Sequence, residues 1–419
     1  MLFAALAILQ TAGSTPAVWR NYEEVFDLAI VGGKVLAATN GGLISGDGMT
    51  WTSVSSPSGL RSIEAEGPLA VATASGRRLE LDGGAWLPAT PRSRVRDLAH
   101  GLELGPGDGW LVSQPSLLHQ FPTPPPGHAY SVLQSGSDLL AGTAQGLFRF
   151  HSGGWTRETL PTRIPVTRPN GFAEVQGAYV VGGMDGLFLG KPGQWKLVAT
   201  DAIRQVCRLG SDVWVVHGNG ALDKIDPSGD QIYPDVMTGA SKRPWTSCVG
   251  HVGETALFGG MGGWSERTAS IVERFPPVLK KDIVTAITGR ASTRWIGTEQ
   301  SGVVRFGPDG IHRWNPGNGL TDTWVTSFCR TPGGLVVGTM HSGLFMIVGD
   351  GIEAIASPTK RVTQLGLWKG TLVVGGMDGA WVRRGTKWSP LDTHGEETTS
   401  LNELSGRLAI TTASGLYLF

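Results

Sequence analysis

The chain has 419 residues, of which 62 are glycine, about twice the usual share, and 15 are tryptophan. Charged residues make up only 17%, and 35 basic residues balance 35 acidic ones, so the formal net charge is zero. This balance excludes a bulk basic surface of the kind that holds nucleic acid without sequence preference, and the tryptophans argue against a disordered chain.

The chain begins with a short apolar run, Met1–Leu9, followed by small residues up to Ala17. The run is too short to span a bilayer and is typical of a secretory signal peptide. We therefore predict a signal peptide over residues 1–17 and a secreted or periplasmic protein. No later segment has the roughly 20 uninterrupted apolar residues of a transmembrane helix, so no transmembrane anchor is predicted.

From residue 19 onward one pattern recurs: an apolar strand that ends in Thr, Gly or a similar residue, a turn, and a second apolar strand. Many of these turns contain Gly, which supplies the positive φ of a tight β-hairpin. The residues that end the first strands lie 30 to 43 residues apart, a period typical of propellers and solenoids. They are Thr39, Thr73, Ser113, Thr143, Gly183, His217, Gly260, Thr298, Thr339, Gly376 and Thr412.

Two further strands flank each hairpin, one before it and one after it that often carries a tryptophan. The tryptophans that follow a glycine-rich turn are Trp51, Trp86, Trp155, Trp195, Trp314 and Trp388. Each repeat is therefore predicted to be a four-stranded antiparallel blade. The last hairpin ends at Phe419 without its tryptophan strand, and the strand that holds Trp19 is predicted to complete it.

The predicted fold is all-β: a β-propeller of about eleven four-stranded blades over residues 18–419. Single rings usually have four to eight blades. The proline-rich segments Phe121–Gly127 and Arg274–Val278 leave open two smaller propellers, with four blades between these segments and seven outside them. The even spacing and the shared closure by the first strand favour one large ring.

The segment Trp295–Ile347, which contains WIGTEQSGVVRF and LVVGTMHSGLFMI, resembles the two-component-regulator propeller repeat. The turn Ser45–Trp51 is similar to a shortened Asp-box, a turn of sialidase-like propellers. The resemblance implies a β-propeller that often forms the extracellular sensor part of a membrane kinase. Because this chain has neither a membrane-crossing helix nor an output domain, we expect a free-standing exported propeller.

The sequence predicts no catalytic residue, metal site or cofactor. Its three cysteines and nine histidines show no metal-ligand spacing. The glycines alternate with strands and open onto no helix, so no phosphate-binding loop is predicted. Asp185 and Asp378, both in GGMDG, are interpreted as turn residues.

The loops that lead into the innermost strands converge on one face of a propeller, and such loops commonly bind ligands. Alignment of these strands places Arg61, Arg96 and Arg204 at one position, which threonine holds in other blades (Thr246, Thr285, Thr326, Thr363 and Thr399). Arginine pairs with anionic groups and tryptophan stacks on apolar faces, although these residues also fit an ordinary solvated rim. The candidate ligand-binding residues are Arg61, Arg96, Arg204, Arg243, Arg361, Trp245 and Trp324.

The predicted function is a non-catalytic binding module that takes a protein or an anionic or carbohydrate ligand at the loop face of its central funnel. The alternative is a carbohydrate-active enzyme, a glycoside hydrolase or lyase, that uses the same funnel. A glycoside hydrolase would place two acids about 5–9.5 Å apart there.

Overall fold

The computed structural model describes residues 17–419 except 48–49, 66–67, 75, 90–124, 127–128, 136, 211, 226–231, 234–245, 268–270 and 405. Within this part the chain forms short β-strands and a single 3₁₀ turn at Pro277–Leu279. No helix in the same ranges is long and apolar enough to cross a membrane. The predicted signal peptide up to residue 16, the repeat copy around Ser113, and Arg96, Arg243 and Trp245 lie outside the described residues.

The chain divides into two compact units. The described part of the first unit is residues 19–165 without the gaps above, and the second unit comprises residues 17–18 and 166–419. Both units consist of four-stranded antiparallel sheets, ten in the described part of the chain. The all-β fold and the four-stranded repeat predicted from the sequence are thus confirmed.

The recurring Thr and Gly of the repeat form the tight turn between the second and third strands. The hydroxyl of Thr39 donates to the carbonyl of Gly42 at 2.7 Å, and that of Thr339 donates to the carbonyl of Gly343 at 2.9 Å. The φ angles of these two glycines are +118° and +79°, a region that other residues rarely adopt. The turn therefore requires the residues that made the repeat visible in the sequence.

The glycine before this threonine lets neighbouring sheets approach closely. A Cβ atom at Gly297 would lie 2.5 Å from Cγ1 of Val325, and one at Gly338 would lie 2.7 Å from Cγ1 of Val362. Val325 and Val362 each begin the innermost strand of the next sheet. Packing between sheets, as well as the turn, therefore selects glycine at these two positions.

The described part of the first unit contains three sheets. Their strands are β2 Val25–Val31, β3 Lys34–Thr39, β4 Gly42–Gly46 and β5 Trp51–Ser53; β6 Leu60–Glu64, β7 Ala70–Thr73, β8 Arg78–Asp82 and β9 Ala85–Pro88; and β10 Ala129–Ser135, β11 Asp138–Thr143, β12 Gly146–His151 and β13 Gly154–Arg157. The innermost strand β2 packs against both β6 and β10.

Seven sheets occur among the described residues of the second unit. The strands of the first three sheets are β14 Gly171–Val175, β15 Ala178–Gly183, β16 Gly186–Lys191 and β17 Gln194–Ala199; β18 Ile203–Leu209, β19 Asp212–His217, β20 Leu222–Ile225 and β21 Ile232–Tyr233; and β22 Thr246–Val252, β23 Thr255–Gly260, β24 Gly263–Arg267 and β25 Ile271–Arg274. The strands of the next three sheets are β26 Val284–Arg290, β27 Thr293–Thr298, β28 Val303–Gly307 and β29 Gly310–Trp314; β30 Val325–Thr331, β31 Gly334–Thr339, β32 Gly343–Val348 and β33 Gly351–Ile355; and β34 Val362–Trp368, β35 Thr371–Gly376, β36 Gly379–Arg384 and β37 Lys387–Leu391. The last sheet consists of β38 Thr398–Leu404, β39 Arg407–Thr412 and β40 Gly415–Leu418, with β1 Ala17–Arg20 beside β40.

The strand near the amino terminus completes the last sheet, as the sequence predicts. The order of that sheet is β1-β40-β39-β38, so β1 is its outermost strand. Val18 packs against a buried cluster that includes Leu408, Ile410 and Tyr417. The last sheet therefore has the same four strands as the others.

The seven sheets of the second unit form a closed ring. Each innermost strand packs against the next, from β14 through β18, β22, β26, β30 and β34 to β38, and β38 packs back against β14. This unit is therefore a seven-bladed β-propeller. The even spacing of the repeats favoured one ring of about eleven blades, but the contact between β38 and β14 closes a ring of seven. Smaller rings were the alternative, although this ring begins at residue 166 and not at a proline-rich segment.

Candidate ligand-binding site

A β-bulge marks the start of the innermost strand in nine of the ten described sheets. In each, the first residue pairs with the end of the second strand, the second residue is left out of the register, and pairing resumes at the third. Such bulges redirect a side chain. The bulged residues are Phe26, Arg61, Tyr130, Arg204, Ser247, Thr285, Thr326, Thr363 and Thr399.

The bulge confirms the sequence alignment of the innermost strands at all described positions but one. In β22 the sequence assigned Thr246 to the shared position. Thr246 instead pairs with Gly260 as the first residue of its strand, and Ser247 is the bulged residue. The alignment was shifted by one residue because serine and threonine are adjacent there.

Most bulged residues of the second unit link one blade to the next. Thr363 Oγ1 donates to the carbonyl of Thr398 at 2.6 Å, and Thr399 Oγ1 donates to that of Pro169 at 2.5 Å. The hydroxyls of Ser247 and Thr285 bond in the same way to the carbonyls of Val284 and Val325. In the sheet without a bulge, Asn170 Nδ2 donates to the carbonyl of Ile203 at 2.9 Å. The hydroxyls at this position therefore have a structural role.

Arg204 differs from these residues, because it is the one charged bulge residue among those described in the second unit. Its side chain is exposed at the end of the ring where the innermost strands begin. A cavity of about 470 Å³ lies along the axis there, and Arg204, Glu299 and Trp324 are among its lining residues. Of the predicted binding residues that the structure describes, Arg204 and Trp324 are brought to one cavity.

The other predicted residues lie elsewhere. Arg361 is exposed just before β34 and does not line the cavity. Arg61 belongs to the first unit, where its Nη1 donates to Asn40 Oδ1 at 3.0 Å and its guanidinium lies 3.7 Å from the centre of the Phe26 ring. Burial lowers the pKa of Arg61, as expected for a guanidinium packed inside its unit. Equivalent positions in the repeat therefore do not place all these arginines at one site.

Several lining residues were not predicted from the sequence. The third residue of the innermost strand contributes Gln205 and Gln364 to the cavity, and Asn402 lines it as well. Gln205 Oε1 also accepts the backbone N–H of Val249 at 2.9 Å, and Asn402 Nδ2 donates to the carbonyl of Phe172 at 3.1 Å. Gln205 and Gln364 each come directly after the aligned bulge position, where strand pairing resumes. A search of the residue after that position would have found both.

Burial disfavours the thiolate form of one cysteine in the cavity wall. Cys207 and Cys248 both line the cavity, and burial raises the pKa of the Cys207 thiol to about 12. This thiol is therefore protonated at neutral pH and a poor nucleophile or metal ligand. No group of three or more His, Cys, Asp or Glu suited to a metal ion occurs in the described ranges.

A buried histidine near the cavity bonds two carboxylates. Nδ1 of His217 lies 2.7 Å from Asp201 Oδ2, and its Nε2 lies 3.0 Å from Asp223 Oδ2. Both nitrogens can donate only when the ring is protonated. The hydrogen bond with Asp223, followed by that with Asp201, raises the pKa of His217 above its ordinary value. No motif in the sequence places Asp201 or Asp223 beside this histidine.

The aspartates of the two GGMDG turns are bonded to neighbouring loops. Asp185 Oδ2 accepts from the backbone N–H and the hydroxyl of Thr167, each at 2.5 Å, and Asp378 Oδ1 accepts from the Thr359 hydroxyl at 2.8 Å. These contacts agree with the interpretation of both residues as parts of the turns.

No family model matches the chain, and no curated protein does. The solved structures that are similar to it include two extracellular domains. The extracellular domain of the putative one component system BT4673 from B. thetaiotaomicron has 14% identity and a TM-score of 0.49, and the match covers 97% of this chain and 58% of that chain. The extracellular domain of the putative hybrid two component system BT4673 from B. thetaiotaomicron has 11% identity and a TM-score of 0.36, with 94% and 69% covered. This chain thus spans less than two thirds of the first of them.

Proposed function

We propose that this chain is an exported, non-catalytic binding propeller that takes a ligand at the mouth of the axial cavity in its second unit. The observation that carries the proposal is the presence of Arg204 and Trp324 in the wall of one cavity of about 470 Å³. Cavities of this size commonly hold small ligands.

The chemistry of the wall favours an anionic or sugar-like ligand. The planar guanidinium of Arg204 can form paired hydrogen bonds with a carboxylate, sulfate or phosphate group. Trp324 offers an aromatic face, and the side-chain amide of Gln364 offers both donors and acceptors. A ligand with one anionic group and several hydroxyls would use all three.

The number of carboxylates in the wall of the axial cavity favours ligand binding over carbohydrate hydrolysis. Among the described lining residues, Glu299 is the one carboxylate. Glycoside hydrolysis ordinarily uses two, as acid and as base or nucleophile. We therefore expect Glu299 to accept hydrogen bonds from hydroxyl groups of the ligand, away from its anionic group, and turnover is measured in the same experiment.

The test is a thermal-shift and titration panel on the chain that begins at Val18, with acidic and neutral oligosaccharides, cell-wall fragments and acidic peptides at two salt concentrations. For the tightest ligand, Arg204→Ala is expected to weaken binding at least tenfold, about 1.4 kcal/mol, because the paired hydrogen bonds are lost. Arg384→Ala is the matched control, since Arg384 is exposed at the end of a third strand and away from the cavity.

Equal weakening by both substitutions, or none by Arg204→Ala, would contradict the proposal. Release of a new reducing end from an oligosaccharide, lost in Glu299→Gln, would instead support the enzyme alternative.

A further inference from the structure

A second cavity of the second unit lies at the opposite end of the strands from Arg204. It has a volume of about 350 Å³ and lies between the sheet β26–β29 and the sheet β30–β33. Arg290 and Arg330, near the ends of two innermost strands, line it together with Trp295 and Arg305. None of its lining residues carries a carboxylate.

The four polar side chains are close neighbours. Trp295 and Arg305 are paired across adjacent strands β27 and β28. The guanidinium of Arg330 reaches over from the next sheet and lies 4.7 Å from the centre of the Trp295 ring. A donor-rich wall is therefore assembled from both sheets.

Three buried N–H donors of this wall have no acceptor among the described residues. They belong to three different side chains: Trp295 Nε1, Arg305 Nε and Arg330 Nη2. A buried donor without an acceptor costs about 1–3 kcal/mol, more for a charged group, and native proteins retain few of them. Three in one cavity wall call for an acceptor from outside the chain.

The positive charge in the wall is only partly balanced. Arg305 pairs with Asp350 at 2.8 Å and with Asp309 at 2.5 Å, and both carboxylates are mostly exposed. In the described part of the chain no ion pair involves Arg290 or Arg330. Burial, and next the charge of Arg290, lower the pKa of Arg330. An anion would relieve this repulsion between like charges.

The same strand position elsewhere shows that an arginine there need not lack acceptors. Arg208 is the sixth residue of β18, as Arg330 is of β30. Its Nε donates to the carbonyl of Gly210 at 3.1 Å, and its Nη1 donates to that of Glu174 at 3.0 Å. The unused donors of Arg330 are therefore particular to the second cavity.

We propose that this cavity is an oxyanion-binding site in which Arg330, Arg290 and the indole N–H of Trp295 hold a phosphate, sulfate or carboxylate group. Guanidinium forks match the geometry of such groups, and a wall free of carboxylates does not repel them. The site is separate from the axial cavity and does not depend on the proposed function.

The test uses inorganic phosphate, sulfate and acetate as probes, at constant ionic strength set with chloride. Saturable binding is measured by titration calorimetry and by thermal shift on the chain that begins at Val18. At least one probe is expected to bind, and Arg330→Gln is expected to weaken that binding at least tenfold. The three probes distinguish which oxyanion the site prefers.

Arg208→Gln is the matched control and is expected to leave anion binding in the second cavity unchanged, because Arg208 already has its own carbonyl acceptors. Because Arg290 is exposed, Arg290→Gln provides a second variant if Arg330→Gln fails to fold. The absence of saturable binding, or equal binding by the wild type and both cavity variants, would overturn the proposal.

Discussion

At the scale of single residues, Arg204 lines the axial cavity and His217 fixes a loop beside it. Arg204 faces the axial cavity from the second position of β18. His217 ends β19, beside the loop that leads into β18, and its bond to Asp201 fixes that loop three residues before Arg204. The position of Arg204 therefore depends on the Asp201–His217–Asp223 cluster.

The stability of the second unit is expected to fall at alkaline pH because of His217. Its pKa is raised in the folded state, so its contribution is complete below the ordinary value of 6.5 and is lost as pH rises through the raised pKa. The substitution His217→Thr places there the residue found at the equivalent positions 39 and 339. This variant should lose the pH dependence of the urea midpoint between pH 6 and pH 9.

His251→Gln serves as the control, because Nδ1 of His251 faces only the carbonyl of Gly253, at 3.2 Å, in the described contacts. This control should keep the pH dependence of the wild type. An equally steep pH dependence in His217→Thr would show that another group is responsible.

The sequence could predict that Arg204 and Trp324 lie near one another, but it could not predict that Arg61 lies in a different unit. The bulge position repeats in nearly every blade, so alignment finds the residues that occupy it. Alignment does not tell which unit a blade belongs to, and Arg61 packs on Phe26 within the first unit. His217 was missed because its partners, Asp201 and Asp223, meet it only when β18, β19 and β20 form one sheet.

At the scale of elements, the bulge hydroxyls join neighbouring blades. Each bonds a carbonyl at or just before the start of the next innermost strand, and the bond from Thr399 to Pro169 joins the last blade of the ring to the first. These bonds explain why serine or threonine recurs at a position that the sequence associated with ligand binding. They position the strand ends that surround the axial cavity.

Removal of one such hydroxyl should have a measurable cost. Thr363→Val keeps the shape of the side chain but leaves the carbonyl of Thr398 without its donor, so it should lower the free energy of unfolding by about 1–2 kcal/mol. The matched control is Thr326→Val, because the buried Thr326 hydroxyl has no partner among the described residues. That variant should be neutral or more stable, as measured by urea denaturation.

If both substitutions had the same effect, the hydroxyl bond between blades would not contribute to stability. The comparison is informative because both residues hold the same bulge position in neighbouring sheets.

At the scale of the whole molecule, local sequence patterns predicted the four-stranded blade, whereas contacts between distant residues determine the number of blades in the ring. Turn glycines and period-two strands are encoded within about 40 residues, so the four-stranded unit was readable from the sequence. The size of the ring depends on contacts such as Asn402 Nδ2 to the carbonyl of Phe172, residues 230 positions apart. The spacing of the repeats does not predict such a contact, so the sequence did not predict that seven of the blades form a ring of their own.

Strand β1 should make a large contribution to the stability of the last sheet. A chain that begins at Val25 lacks β1 and leaves the edge of β40 unpaired, whereas a chain that begins at Val18 retains nearly all of it. The shorter chain is expected to melt roughly 10 °C lower, since several kcal/mol of pairing and packing are lost. Equal melting temperatures in scanning calorimetry would show that the last blade is stable without β1.

The most direct test of the binding proposal is a crystal structure of the chain with the tightest ligand of the panel. The account predicts ligand density in the axial cavity, with an anionic group on the guanidinium of Arg204 and the body of the ligand beside Trp324. Full occupancy of the ligand at any other surface, with the axial cavity holding only solvent, would contradict it.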